Sequence, residues 1–299
     1  MRDESSRNST ATLGRSDRVR PLVVALSWVL LCACHRSEPA PIGADPTPSA
    51  KRAPPRSKPA VHDESFASDA DPKTTLAWPR IELPDRAGAA ITASVESEIR
   101  AEARAVDDDW RSTLDGGPRI EGEMPYEVEA ECTAALVSYT VVDIVCHHSR
   151  YTGGAHESYW STSEAWTIEQ GVPRRFHAVD VFGAKGLDAL AGTLTARLAA
   201  QGASFVVDKT IGAADLVTNG MLEAFVVDRD GLRFLFAPYA VATWAEGEPH
   251  VHLDWKELRA LAPESTLLRT IDAAAHDPDA IVAAQDPDDA DGADGGDAK

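Results

Sequence analysis

The residues able to build a core fall almost wholly within 76–276, which confines the fold to one domain of about 200 residues. Residues 1–33 read as a targeting segment. Residues 34–75 are rich in Pro, Ala and Ser, with seven Pro between 37 and 62 and no apolar periodicity. Such a segment buries too little surface to offset its backbone entropy, so a disordered, semi-extended linker is expected. Residues 277–299 are rich in Asp, Ala and Gly and are expected to form a disordered acidic tail. Their Asp residues lack the D-x-[DN]-x-[DN]-G-x₅-E spacing of a calcium loop.

The amino terminus sets the expected compartment. Five Arg precede an apolar run of 13 residues, PLVVALSWVLLCA, at 21–33. That is too short for a bilayer span of about 20 residues and suits the apolar region of a signal peptide. The run ends in Leu31-Cys32-Ala33-Cys34, which resembles a lipobox, so Cys34 is the expected lipidation site. His35 follows, with no Asp to suggest retention at the inner membrane. The expected localisation is therefore the bacterial cell envelope, lipid-anchored, in the outer membrane facing the periplasm. An ordinary secretory signal cut nearby is the alternative.

The formal net charge is −19. A chain so acidic is repelled by phosphate backbones, which excludes nucleic acid as a partner. A cationic partner fits the charge, and so does plain solubility.

Periodicity within 76–276 alternates between helix and strand. Ile91, Val95, Ile99, Ala103, Val106 and Trp110 recur every three or four residues and predict an amphipathic helix over 92–110. Two β-like runs, 126–136 and 141–150, follow on either side of a short polar turn, and 159–168 reads as a third strand. Leu187, Leu190, Leu194 and Leu198 mark a second helix that Gly202 closes. Runs at 223–227 and 232–236 flank Asp228-Arg229-Asp230-Gly231, a hairpin signal. Strands are expected at 239–244 and 250–253. Asp254-Trp255-Lys256-Glu257 forms a capping box for a helix that ends at Pro263. The class expected is α+β: an antiparallel sheet with helices packed on one face.

Cys132 and Cys146 sit at similar distances from the turn between the first two runs. Opposed strand residues lie within disulfide reach, and an exported domain meets an oxidising environment. A Cys132–Cys146 disulfide is expected, with two buried free thiols as the alternative.

No catalytic signature emerges. The chain has no G-x-S-x-G elbow, no H-E-x-x-H helix and no Walker loop. His147 and His148 are adjacent on a strand and so point to opposite faces, which leaves only one of them for any site with His156. His250 and His252 share a strand face and resemble an H-x-H-x-D metal motif, without the downstream ligands of a hydrolase. No metal, cofactor or catalytic residue is expected. The most distinctive local feature is Tyr151-Thr152-Gly153-Gly154-Ala155-His156, where consecutive Gly permit positive φ and close backbone approach. It reads either as a binding edge or as a tight turn with a hydrogen-bonded His.

That motif, with Val179-Asp180-Val181-Phe182, resembles the RsiV-type C-terminal domain family, whose core reads Y-x-G-G-A-H. A second block agrees: Gly231-Leu232-Arg233-Phe234-Leu235-Phe236, Pro238-Tyr239, Gly247 and His250-Val251-His252-Leu253. The family is a domain of unknown function, found in the lysozyme-sensing anti-sigma factor RsiV and the peptidoglycan deacetylase PdaC. The resemblance spans roughly 76–265. It implies the fold and an extracytoplasmic binding role, without a residue-level ligand motif; Tyr151, Gly153, Gly154, His156 and Tyr239 are the candidate motif, either binding or structural. Neither sigma-factor control nor deacetylation transfers, because the Arg-rich leader is too short for a sigma-binding domain and no deacetylase domain is present. His250 and His252 stand at the family's ordinary strand positions, which weakens their metal reading. The function expected is a non-enzymatic binding or sensing domain for a lysozyme-like protein or a peptidoglycan component. A structural or assembly lipoprotein and a His-metal wall hydrolase are the alternatives.

Overall fold

The computed structural model describes residues 57–69, 72–114, 126–153 and 156–283. The expected signal peptide, Cys34 and the acidic tail beyond residue 283 lie outside them, as does Gly154.

A seven-stranded sheet forms the frame. Strands β1 (Ala60–Ser68), β2 (Lys73–Glu82), β3 (Glu127–Val137), β4 (Val141–Tyr151), β5 (Ser158–Glu169) and β6 (Val172–Phe176) lie side by side in chain order. A short C-terminal strand, Ile281–Val282, adds to the far end of β3 and is numbered β10. All pairs are antiparallel except β2 and β3, which run parallel across the helix α1 (Ala87–Leu114). A parallel pair needs such a crossover, whereas the other consecutive strands, β1–β2, β3–β4, β4–β5 and β5–β6, are joined by short connections.

Two boundaries differ from expectation. The linker expected over 34–75 gives way to β1 and the start of β2, and β10 carries the fold past 276 into the expected tail. β1 was masked by its composition. Its sequence AVHDESFAS is mostly polar because it is an edge strand, held by backbone pairing to β2 from Ala60↔Glu82 to Ser68↔Thr74. Pro79 sits where β2 has a neighbour on one side alone, the context in which a strand proline is tolerated. Nearby, the Thr92 hydroxyl of α1 accepts the Ile81 N–H at 2.9 Å, a bond no strand supplies.

The expected α+β class, with a sheet that is mostly antiparallel, is found. Its cover extends beyond helices on one face. On one side α1 lays Ile91, Val95 and Ile99 over Ala130, Ile144 and Trp166. On the other stands a second, three-stranded antiparallel sheet of β7 (Phe225–Val227), β8 (Gly231–Leu235) and β9 (His250–Asp254). Behind it lie α2 (Ala178–Gln201), α3 (Ser204–Val207), α4 (Ala213–Thr218), α5 (Trp255–Leu261) and α6 (Thr266–Ala275). α2 bends at Gly183 and ends at Gly202, whose left-handed backbone makes the expected C-cap. The Asp254 carboxylate accepts the Glu257 N–H at 2.7 Å, so the capping box of α5 forms as read.

The small sheet divides its residues by parity. Leu232, Phe234, Val251 and Leu253 enter the core with Leu190, Leu194 and Leu198 of α2. Arg233, Leu235 and His250 alternate with them and line a cleft between the two sheets. Within that space Ala135, Val145, Val226 and Leu235 make a small apolar contact. Cys132 and Cys146 are direct register partners and are joined by the expected disulfide.

Candidate functional site

The strand expected at 239–244 is absent, and this correction creates the site. Residues 238–249 form a loop with one short 3₁₀ turn, Trp244–Glu246. Tyr239 adopts a left-handed backbone, φ 66°, which no strand accommodates, and its N–H donates to Ala242 O at 2.9 Å. A left-handed non-glycine residue costs roughly 1–2 kcal/mol. The strain turns the Tyr239 ring outward, where it is 56% exposed.

Glu246 fixes the loop. Its carboxylate accepts the Ser204 and Thr243 hydroxyls, each at 2.6 Å, and the Thr243 N–H at 2.9 Å. These bonds, led by that from Ser204, hold its pKa down at about 2.

The loop presents Trp244 to the other half of the motif. His156 stacks on Trp244 with ring centres 4.6 Å apart, and Tyr159 meets Trp244 edge-on at 6.0 Å. The Tyr239 hydroxyl lies 3.4 Å from His156 Nε2, while His156 Nδ1 lies 2.8 Å from Glu157 O. Tyr239 and His156 are thus neighbours although 83 positions separate them. Gly153 is left-handed, φ 91°, and a side chain there would approach the Tyr126 ring at 4.0 Å. Tyr151 ends β4 and does not enter the His156–Trp244 stack. The result is an aromatic lip of His156, Tyr159, Tyr239 and Trp244. Sequence reading missed Trp244 and Tyr159, which it assigned to strands.

Beside the lip lies the inter-sheet cleft, of about 400 Å³. His147, Asp228, Arg233, Glu248 and His250 are among its lining residues. Ser161 donates its hydroxyl proton to Glu248 Oε2 at 3.0 Å and lies 2.7 Å from His147 Nδ1. Because the Ser161 proton is engaged, Ser161 accepts from His147, which places a proton on Nδ1. Arg233 pairs with Asp228 at 3.2 Å. The second Glu248 oxygen, Oε1, is buried without a hydrogen-bond partner, as is Trp244 Nε1 in the lip. Behind the cleft, Asp143 is fully buried; its carboxylate accepts the Val227 N–H at 2.7 Å and the Ser163 hydroxyl at 3.1 Å, tying the two sheets together. Burial pushes its pKa up to about 7 against those two bonds.

The His residues are distributed among different tasks. His148 faces α1, with Nδ1 2.8 Å from Glu102 and Nε2 2.9 Å from Thr162. His252 Nε2 lies 3.2 Å from Asp230, while His250 faces the cleft. Among the described residues, no three His, Cys, Asp or Glu side chains are grouped so as to hold a metal ion.

Residues 180–256 match the model of a family described as a protein of unknown function, DUF3298. This stretch contains Tyr239, Trp244, Glu248 and His250, but not His156 or the disulfide. No curated protein matches. Two solved structures of DUF3298 family members are similar. One, from Bacteroides fragilis, is 16% identical with a TM-score of 0.45, covering 73% of this chain and 100% of its own. The other, from Pseudomonas aeruginosa, is 15% identical with a TM-score of 0.44, covering 67% and 93%. Over residues 180–256, then, the chain is similar to the DUF3298 family.

Proposed function

We propose that this chain is a lipoprotein of the cell envelope, anchored through Cys34, whose domain is a non-enzymatic binding or sensing module for a peptidoglycan component. The observation that carries the reading is the aromatic lip. Flat, rigid rings held at a surface supply contact area at low entropic cost, and aromatic residues are enriched where partners dock. Sugar rings present apolar C–H faces that lie well on such rings. Two separated segments, 156–159 and the 238–249 loop, converge to build the lip, and Glu246 fastens the second before any ligand arrives. A preformed surface loses less entropy on binding. The resemblance to the RsiV-type family agrees with an extracytoplasmic binding role.

Titration calorimetry of the chain with soluble peptidoglycan fragments tests this. Trp244→Ala is expected to weaken binding at least tenfold, the effect of removing an aromatic anchor of roughly 2 kcal/mol. Equal affinity in the variant, or no heat from the wild type, overturns the reading.

The acidity of the chain supports a second reading, in which a cationic, lysozyme-like protein is the partner. Binding of that kind weakens steeply with salt, whereas stacking of a neutral glycan does not.

A further inference from the structure

The cleft beside the lip holds a charge without a counter-charge. Its other acid, Asp228, is paired with Arg233. Glu248 spends one oxygen on Ser161, and the other is buried with no donor. His147, which lines the same cleft, is engaged with Ser161 through Nδ1. Glu248 makes no ion pair among the described residues. A buried acceptor left unfilled is costly, and a carboxylate oxygen is best filled by a charged donor.

Position specifies that donor further. Glu248 lies four residues beyond Trp244 on the fastened loop. Its partner Ser161 lies two residues beyond Tyr159 on the same face of β5, about 7 Å along the strand. That step is close to the reach of a sugar ring and one substituent. We propose that the cleft seats the primary ammonium of an amino sugar on Glu248 Oε1, while the sugar ring rests on the lip. This rests on the lip being the ligand surface and adds the chemical class: a de-N-acetylated rather than an N-acetylated unit. An acetyl group removes the positive charge and places a methyl group against the carboxylate.

The test compares two probes on the full chain by titration calorimetry: the glucosamine trimer and its fully N-acetylated counterpart. The glucosamine trimer is expected to bind at least tenfold more tightly, and Glu248→Gln, which keeps the shape of the side chain, to abolish that preference. Ser161→Ala should retain the preference, because the carboxylate remains. If Glu248→Gln does not fold, the wild-type ratio of the two affinities still decides. Equal affinity for both trimers, or a preference that survives Glu248→Gln, overturns the amine seat while leaving the lip reading intact. A preference that needs Glu248 but ignores Trp244→Ala supports the seat and removes the lip. Lysine amide binding as tightly as the glucosamine trimer overturns the assignment to a sugar.

Discussion

Beneath α1, His148 is clasped between Glu102 and Thr162, and Arg175 reaches Glu98 at 2.8 Å and the buried Glu164 at 3.7 Å. Across the same strands, Glu248 keeps a buried oxygen with no donor, and Trp244 a buried N–H with no acceptor. The sheet thus carries buried polar groups on both faces and places them in different surroundings. On the α1 face the polar side chains lie in charged contacts with the helix and sheet, although Trp78 Nε1, His148 Nδ1 and Glu164 Oε2 are also buried there without a hydrogen-bond partner. On the small-sheet face they are left open beside exposed rings. The proposed binding surface is the second face, where the open atoms adjoin the exposed rings of the lip.

This contrast can be broken by substitutions that should act on one face alone. Ile144 is fully buried under α1, and Ile144→Ala should cost about 4 kcal/mol in chemical denaturation. Ligand affinity per folded molecule should stay unchanged; a lost affinity would mean the faces are coupled.

The pH dependence sharpens the comparison. Asp143 titrates at about 7 in the folded domain against 3.8 for an ordinary, solvated aspartate, so the folded form holds the proton more tightly. Its contribution is whole below about pH 4 and is lost as pH rises through 7, on the order of 4 kcal/mol. Glu164 acts in the same direction; burial and then its shared hydrogen bond with Glu98 raise it to about 8. Denaturation midpoints should therefore fall from about pH 4 to pH 8, and Asp143→Asn should flatten the part of that fall below pH 7. An unchanged slope in Asp143→Asn would remove Asp143 as the tie between the sheets.

The α1 face was largely legible in the sequence and the recognition face was not. The helix repeat from Ile91 to Trp110, the β3–β4 turn and the facing Cys132 and Cys146 are local patterns, and the structure realises each of them. The lip depends on contacts that no local pattern carries. Tyr239 and His156 were both singled out, yet their meeting is tertiary. The alternation around Trp244 suggested a strand because periodicity says nothing of a left-handed Tyr239. Two signals were readable but unused: the acid Asp143 inside the apolar run at 141–146, and the helical spacing of Leu268, Ile271 and Ala275 in α6.

The smallest expected effect separates stability from recognition at one residue. Tyr239→Gly relieves the left-handed strain and should raise stability by up to about 1 kcal/mol. It also removes a ring of the lip and should weaken fragment binding, so the two readouts move in opposite directions. A variant that loses stability would show that the Tyr239 ring supports the fold.

Amide chemical-shift mapping on the full chain, titrated with soluble peptidoglycan fragments, tests the division of the two faces most directly. Shifts are expected at residues 156–161 and 239–250, while Glu98, Glu102, His148 and Glu164 stay still. Shifts centred on α1 with a silent lip would contradict it.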